Sequence, residues 1–223
     1  MPKAWGFIRD RFLVGKRYGM VLTVGVACFA LSILSFAAIV DSLSEKGTLF
    51  HLDLKINAYV VRVASPGLTR FLGTVTDLGS IYLVVVVAVI VGGILFSRRD
   101  WGRLLSLLLS VGLGQAVLNL LKFVFQRPRP KTELFVFSSS FPSGHAFSAT
   151  VIYGFCIYLT FRFINNAAAK WIGSTLLALL ILLIGLSRIY LGVHWLSDTL
   201  AGYVTGFAWL LFCVYFGTMV GAR

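Results

Sequence analysis

Apolar runs long enough to cross a bilayer leave a chain few ways to fold, and this one has six: residues 20–40, 78–96, 104–125, 146–164, 171–190 and 196–220. A hydrocarbon core ~30 Å thick takes about 20 helical residues per crossing. No water is present there to satisfy peptide groups, so segments of this length must bond internally as helices. The expected fold class is therefore all-α: a polytopic membrane protein, a six-transmembrane-helix bundle, forming a single membrane domain over residues 1–223. Composition points the same way. With 58% hydrophobic and 13% charged residues and a mean hydropathy of +0.90, the chain lies outside the range of water-soluble globules and of disordered chains.

The formal charge of +12 would suggest nucleic acid if it were gathered on one soluble face. Here the cations lie in short clusters between apolar runs, as in loops beside anionic headgroups, so membrane lipids rather than nucleic acid are the expected partners. Lys3, Arg9, Arg11, Lys16 and Arg17 precede the first run, which lacks a small-residue cleavage site and is read as a retained span. Arg98, Arg99, Arg103, Arg162, Lys170 and Arg223 fall on the same side as that tail. The opposite side has longer loops and most of the acids. The bias places both termini in the cytoplasm of an inner (cell) membrane.

The longest connection, 41–77, intersperses Leu49, Leu52, Leu54, Tyr59 and Val63 with Asp53, Lys55, Arg62 and Arg70. That pattern predicts an amphipathic extracytoplasmic helix ending near Ser65-Pro66-Gly67, lying as a lid on the bundle. Gly202-x-x-x-Gly206 and Gly112-x-Gly114 are sites of close helix packing. Cys28, Cys156 and Cys213 sit inside apolar runs, in no metal-ligand spacing, and read as packing residues.

Ionisable residues are expensive near lipid, so clusters kept at span ends are the functional candidates. One runs from Lys122 through Arg127 and Arg129 to Lys131, a second is Ser140-Phe141-Pro142-Ser143-Gly144-His145, and the third runs from Ser187 and Arg188 to His194 and Asp198. With six alternating spans, all three open on one face. Together they supply cations, a helix N-terminus, two histidines and a carboxylate, an inventory suited to phosphate. Arg129 and Arg188 offer bidentate forks and Lys122 a point charge. The N–H groups around Ser143 and Gly144 lie where a helix dipole favours an anion. On a helix beginning by His194, Asp198 would share its face and orient the ring as a nucleophile, leaving His145 as general acid. Arg127, Lys131 and Glu133 are read as solvated loop charges, and His51 as an interfacial lid residue.

The spacing resembles the type 2 phosphatidic acid phosphatase superfamily, whose motifs are K-x6-R-P, P-S-G-H and S-R-x5-H-x3-D. Lys122-x6-Arg129-Pro130, Pro142-Ser143-Gly144-His145 and Ser187-Arg188-x5-His194-x3-Asp198 match them in order and in full. In size and layout the chain is similar to bacterial phosphatidylglycerophosphate and undecaprenyl pyrophosphate phosphatases. The resemblance implies His194 as nucleophile forming a phosphohistidine, Asp198 as its orienter and His145 as acid. It implies Lys122, Arg129, Ser143, Gly144 and Arg188 as phosphate ligands, with no metal and no cofactor. Vanadium haloperoxidases share the motifs but are soluble. A lipid phosphotransferase using the same phosphoenzyme remains open, as do phosphatidate and lipid A phosphate as substrates. An anion transporter is the rival outside enzymes, though a pore would put its charges near mid-span.

Overall fold

The computed structural model describes residues 17–44, 47–130 and 139–221. These form nine α-helices: α1 (Arg17–Asp41), α2 (Thr48–Val63), α3 (Pro66–Asp77), α4 (Ile81–Ser97), α5 (Trp101–Leu108), α6 (Gly114–Phe125), α7 (Gly144–Phe163), α8 (Ala167–Tyr190) and α9 (Leu196–Gly221). A π-helical turn, Leu109–Leu113, joins α5 to α6, so the expected third span is one continuous path from Trp101 to Phe125. Five helical segments are long and apolar enough to cross a membrane, and a sixth arises if α3 and α4, bent by 43°, are counted together.

That bent pair corrects the reading of residues 41–77 as a lid alone. The amphipathic helix exists as α2 and ends at Val63, near the expected boundary, but a second helix follows at once, with Pro66 in its first turn. The turn between α3 and α4 is tight for a physical reason. A Cβ on Gly79 would lie 2.5 Å from Ile184 Cγ2 and 3.3 Å from the His145 carbonyl oxygen, so only glycine lets the chain pass there. Ser80 then caps α4 by accepting from the Leu83 N–H.

The arrangement is built around α7. Half of its apolar window is buried inside the bundle, against 6% for the first span, so α7 is the central helix and α1 is peripheral. Val84, Leu95, Leu107, Ile152, Phe155, Ile184 and Leu210 bury against one another from α4, α5, α7, α8 and α9. Outward, large apolar side chains stay bare: Leu34 is 65% exposed, Phe123 72% and Trp171 63%. In water such a surface would aggregate, whereas in lipid it is the outer wall of a multi-pass membrane protein.

Gly202 and Gly206 bring α9 against α7, since a Cβ on Gly202 would lie 2.6 Å from the Ser143 carbonyl oxygen and one on Gly206 2.8 Å from that of Phe147. Gly114 likewise faces the Trp209 ring, and the Trp209 indole N–H donates to the Ser110 carbonyl within the π turn (3.0 Å). Gly112 has no neighbour within 4 Å, so the packing role expected of it is not found. The far end of the bundle carries cations on aromatic faces: the Arg98 and Arg103 guanidiniums lie 4.9 and 5.4 Å from the Phe163 ring centre, and Lys170 5.7 Å from that of Phe161.

Candidate active site

The first cluster enters as α6 ends. Gln126 takes a left-handed conformation (φ 42°) and its N–H closes the helix on the Lys122 carbonyl. The turn sends the Arg127 and Arg129 side chains inward, with Pro128 between them exposed, alongside the segment leading to α7: the Ser140 N–H donates to the Arg127 carbonyl (2.7 Å) and the Arg127 N–H to Ser139 Oγ (2.9 Å). Lys122, one turn back, donates from Nζ to the Ser139 carbonyl (2.6 Å). Arg129 donates from Nη1 to the Val193 carbonyl (3.1 Å), and burial lowers the pKa of its guanidinium.

The second cluster is the N-terminus of α7. Ser143 caps it with an extended backbone and is fully buried, and its Oγ finds no partner among the described residues. The first-turn N–H groups of such a helix are unsatisfied within it and point outward. A Cβ on Gly144 would lie 3.3 Å from Leu118 Cδ2, and Lys122 Cε lies just beyond, which places that bare backbone beside the lysine. His145, half-buried on the next residue, is within electrostatic reach of Arg188, His194, Arg129 and Lys122.

The third cluster spans the link from α8 to α9. Arg188 donates from Nη1 to Thr76 Oγ1 (3.0 Å), while its buried Nε has no partner among the described residues. His194 precedes α9 rather than starting it, because the helix begins at Leu196. The expected shared helical face is therefore replaced by a capping geometry: Asp198 Oδ2 accepts the Trp195 N–H (2.9 Å) and lies 3.4 Å from His194 Nδ1. On the other side of the ring, Arg129 Nη1 stands 3.4 Å from Nε2. A proton on Nδ1 satisfies both neighbours and leaves an Nε2 lone pair among cations. The ring is 3% exposed, and burial pushes its pKa down to about 4 despite the opposing pull of Asp198. It is neutral at neutral pH.

All eight residues expected at the site, Lys122, Arg129, Ser143, Gly144, His145, Arg188, His194 and Asp198, thus come to one end of the bundle. Arg127 overturns its reading as a solvated charge. Its side chain is 15% exposed and pairs with Asp198 Oδ1 (2.7 Å) and Asp53 Oδ2 (2.8 Å). Ser140 donates to Asp198 Oδ2, and Ser197 also joins this network. Arg127 and Ser140 lay within the clusters read from the sequence but were given no role there, and Ser197 carried no signal; Asp53, the acid in a connection whose other charges are mostly cations, was the one hint of a distant partner. Lys131 and Glu133 lie outside the described residues.

The family model of the PAP2 superfamily matches residues 103–221, which takes in every one of these side chains except Asp53 and Thr76. The chain belongs to the PAP2 superfamily. Phosphatidylglycerophosphatase B of Bacillus subtilis (strain 168) is 32% identical over 158 residues, covering 69% of this chain and 77% of that protein. Among solved structures, the transmembrane PAP2-type phosphatidylglycerolphosphate phosphatase from Bacillus subtilis superposes with a TM-score of 0.75 at 28% identity, over 84% of this chain and 94% of that one. LpxE of Aquifex aeolicus gives 0.56 at 25% identity, over 75% and 95%. The fold is therefore that of membrane PAP2 phosphatases, and the motif resemblance in the sequence holds at the level of the superfamily.

Proposed function

We propose that this membrane PAP2 phosphatase removes the terminal phosphate of a phospholipid or isoprenyl (pyro)phosphate, phosphatidylglycerophosphate or undecaprenyl pyrophosphate above all, through a phosphohistidine on His194. The observation that carries the reading is a pair of buried polar atoms, Ser143 Oγ and Arg188 Nε, without partners among the described residues, at the same end of the bundle as Lys122, Arg129 and a neutral histidine whose Nε2 faces Arg129. Buried polar atoms are normally satisfied, and a phosphoryl group supplies acceptors for both. The 32% identity to a phosphatidylglycerophosphatase favours a lipid carrying that headgroup.

In the first half-reaction the Nε2 lone pair attacks phosphorus, the bond from phosphorus to the lipid oxygen breaks, and His145 gives that oxygen a proton. Asp198 holds Nδ1–H and balances the charge that builds on the ring. In the second, His145 takes a proton from water, the hydroxide attacks phosphorus, and the N–P bond breaks to free phosphate and restore neutral His194. Lys122, Arg129, Arg188 and the α7 N-terminus offset charge on the transferring oxygens throughout. No metal is required by this donor set: the positive charges are already in place, and the Asp198 carboxylate is committed to Arg127, Ser140 and the Trp195 N–H.

The test is phosphate release in detergent from a panel of lipid phosphates at equal surface concentration. Release from phosphatidylglycerophosphate or undecaprenyl pyrophosphate, undiminished by a chelator, is expected. No release from any member, or release abolished by chelation and restored by Mg²⁺, would overturn the reading.

A further inference from the structure

Four polar side chains that the three motifs leave unspecified, Asp53, Ser140 and Ser197 buried and Arg127 15% exposed, form one connected network behind the reacting residues. Arg127 donates from Nη1 to Asp198 Oδ1 (2.7 Å) and to Ser197 Oγ (2.7 Å), and from Nη2 to Asp53 Oδ2 (2.8 Å). Ser197 in turn donates through its hydroxyl to Asp53, and its backbone N–H goes to Asp53 Oδ1 (2.9 Å). Ser140 holds the other oxygen of Asp198. Asp53 comes from α2, 144 residues before Ser197, and is 2% exposed, while Leu54, Tyr59 and Val61 on the same helix are 46–64% exposed. The helix thus turns its acid inward beside Leu49, which packs on the Phe141 cluster, while leaving these apolar side chains outward, so a buried polar contact as well as hydrophobic packing holds it. A buried cation between two carboxylates needs both of them, since removing one leaves charge uncompensated.

We infer that Arg127 is a positioning residue that fixes the Asp198 carboxylate, and through it the His194 ring, with Asp53 of α2 as its second anchor. The inference rests on the proposed role of His194 and Asp198. Arg127 is suited to this task by its planar fork: one edge faces Asp198 and the other Asp53, which a lysine ammonium cannot do. Its guanidinium also lies 5.5 Å from the ring centre of Trp195, whose indole N–H is held by the Pro128 carbonyl (2.9 Å), so the fork cannot swing away from the carboxylates without unstacking. Arg129, by contrast, faces His194 Nε2, on the phosphate side of the ring. The two arginines of the Arg-Pro-Arg-Pro run therefore serve opposite sides of the nucleophile.

The test is a double-mutant cycle of Arg127→Gln and Asp53→Asn, read as kcat, KM and the single-turnover rate of phosphoenzyme formation on an aryl phosphate, with Arg127→Lys as the conservative variant. Charged hydrogen bonds of this kind are worth roughly 10- to 100-fold in an equilibrium. Arg127→Gln is expected to slow phosphoenzyme formation about that much with KM changed less than about twofold, Arg127→Lys to recover only part, and Asp53→Asn to slow the step alone yet add little to Arg127→Gln. Tyr190→Phe, which removes the hydrogen bond from the Ser65 N–H at the end of α2 (2.9 Å), loosens the same region without touching the network and should leave the rate unchanged.

Additive losses in the cycle, a raised KM at unchanged kcat, or a lowered melting temperature at unchanged phosphoenzyme rate would each overturn the inference. If Arg127→Gln does not fold, Asp53→Asn with an unaltered phosphoenzyme rate overturns it as well. Absence of any phosphoenzyme in the unmodified protein would instead refute the histidine reading itself, so the two failures are distinguishable.

Discussion

His194 sits between a carboxylate and a guanidinium and is 3% exposed, and its protonation follows from that position. Burial holds its pKa near 4, below the usual 6.5. At pH 5 an ordinary imidazole would be only about 3% neutral, whereas this one remains mostly neutral, the form the proposed nucleophile needs. A titration of the His194 ring by NMR in detergent should show no protonation above about pH 5. A midpoint near 6.5 would contradict the buried geometry. The same shift sets a stability window: between pH 6.5 and 4 the unfolded chain binds a proton that the folded one refuses, so melting temperature should fall as pH drops through that range.

Arg188→Lys tests the clamp from the other side. With Nη1 on Thr76, the planar fork still turns its other N–H groups to phosphate in a fixed geometry that a point-charge ammonium cannot reproduce, and loss of one transition-state contact should cost about 10²–10³ in kcat. Near-normal turnover in a folded variant would remove Arg188 from the site. His145 is separated by leaving group: His145→Ala should slow natural lipid phosphates severely and an aryl phosphate far less, because that oxygen departs with little need of a proton. Equal losses on both would refute the acid role.

At the scale of elements, the close contact of α9 with α7 delivers His194 and Asp198 to the Ser143-Gly144-His145 turn. The Ser143 N–H also donates to the Asp198 carbonyl (2.9 Å). Gly202→Val should therefore force the helices apart, at a cost of about 1–3 kcal/mol for overpacking, and lower activity out of proportion to that loss of stability. Normal kinetics in this variant would show that the contact does not set the site.

The spans and the three motifs were legible because apolar length and short internal spacings are local properties of sequence. What was not legible depended on pairing across the fold. Arg127 and Asp53 stand 74 positions apart, and neither carries a spacing that announces the other. The break between α3 and α4 was hidden because Gly79 is shaped by Ile184 and His145, residues far along the chain. The helical register of His194 failed for a local reason: Asp198 caps the helix start, so the ring lies before the first turn.

At the scale of the whole molecule, the ends of α6 and α8 and the starts of α7 and α9 gather at one pole, and the aromatic-capped cations Arg98, Arg103 and Lys170 at the other. The proposed orientation puts the second pole and both termini in the cytoplasm, with the site outside. Cysteines introduced at Arg99 and at His51, an exposed residue of α2, should label from opposite sides in intact cells with an impermeant thiol reagent. Labelling from the same side would break the topology.

The proposed mechanism turns on one covalent bond, from phosphorus to Nε2 of His194. Rapid acid-free quenching of the protein during turnover of a phosphorus-labelled lipid phosphate, followed by peptide mapping, measures it directly. An acid-labile, base-stable phosphoryl group is expected on the peptide carrying His194, absent from His194→Ala and still formed on an aryl phosphate by His145→Ala. A phosphoryl group that persists in His194→Ala, or turnover by that variant at the normal rate, would contradict it.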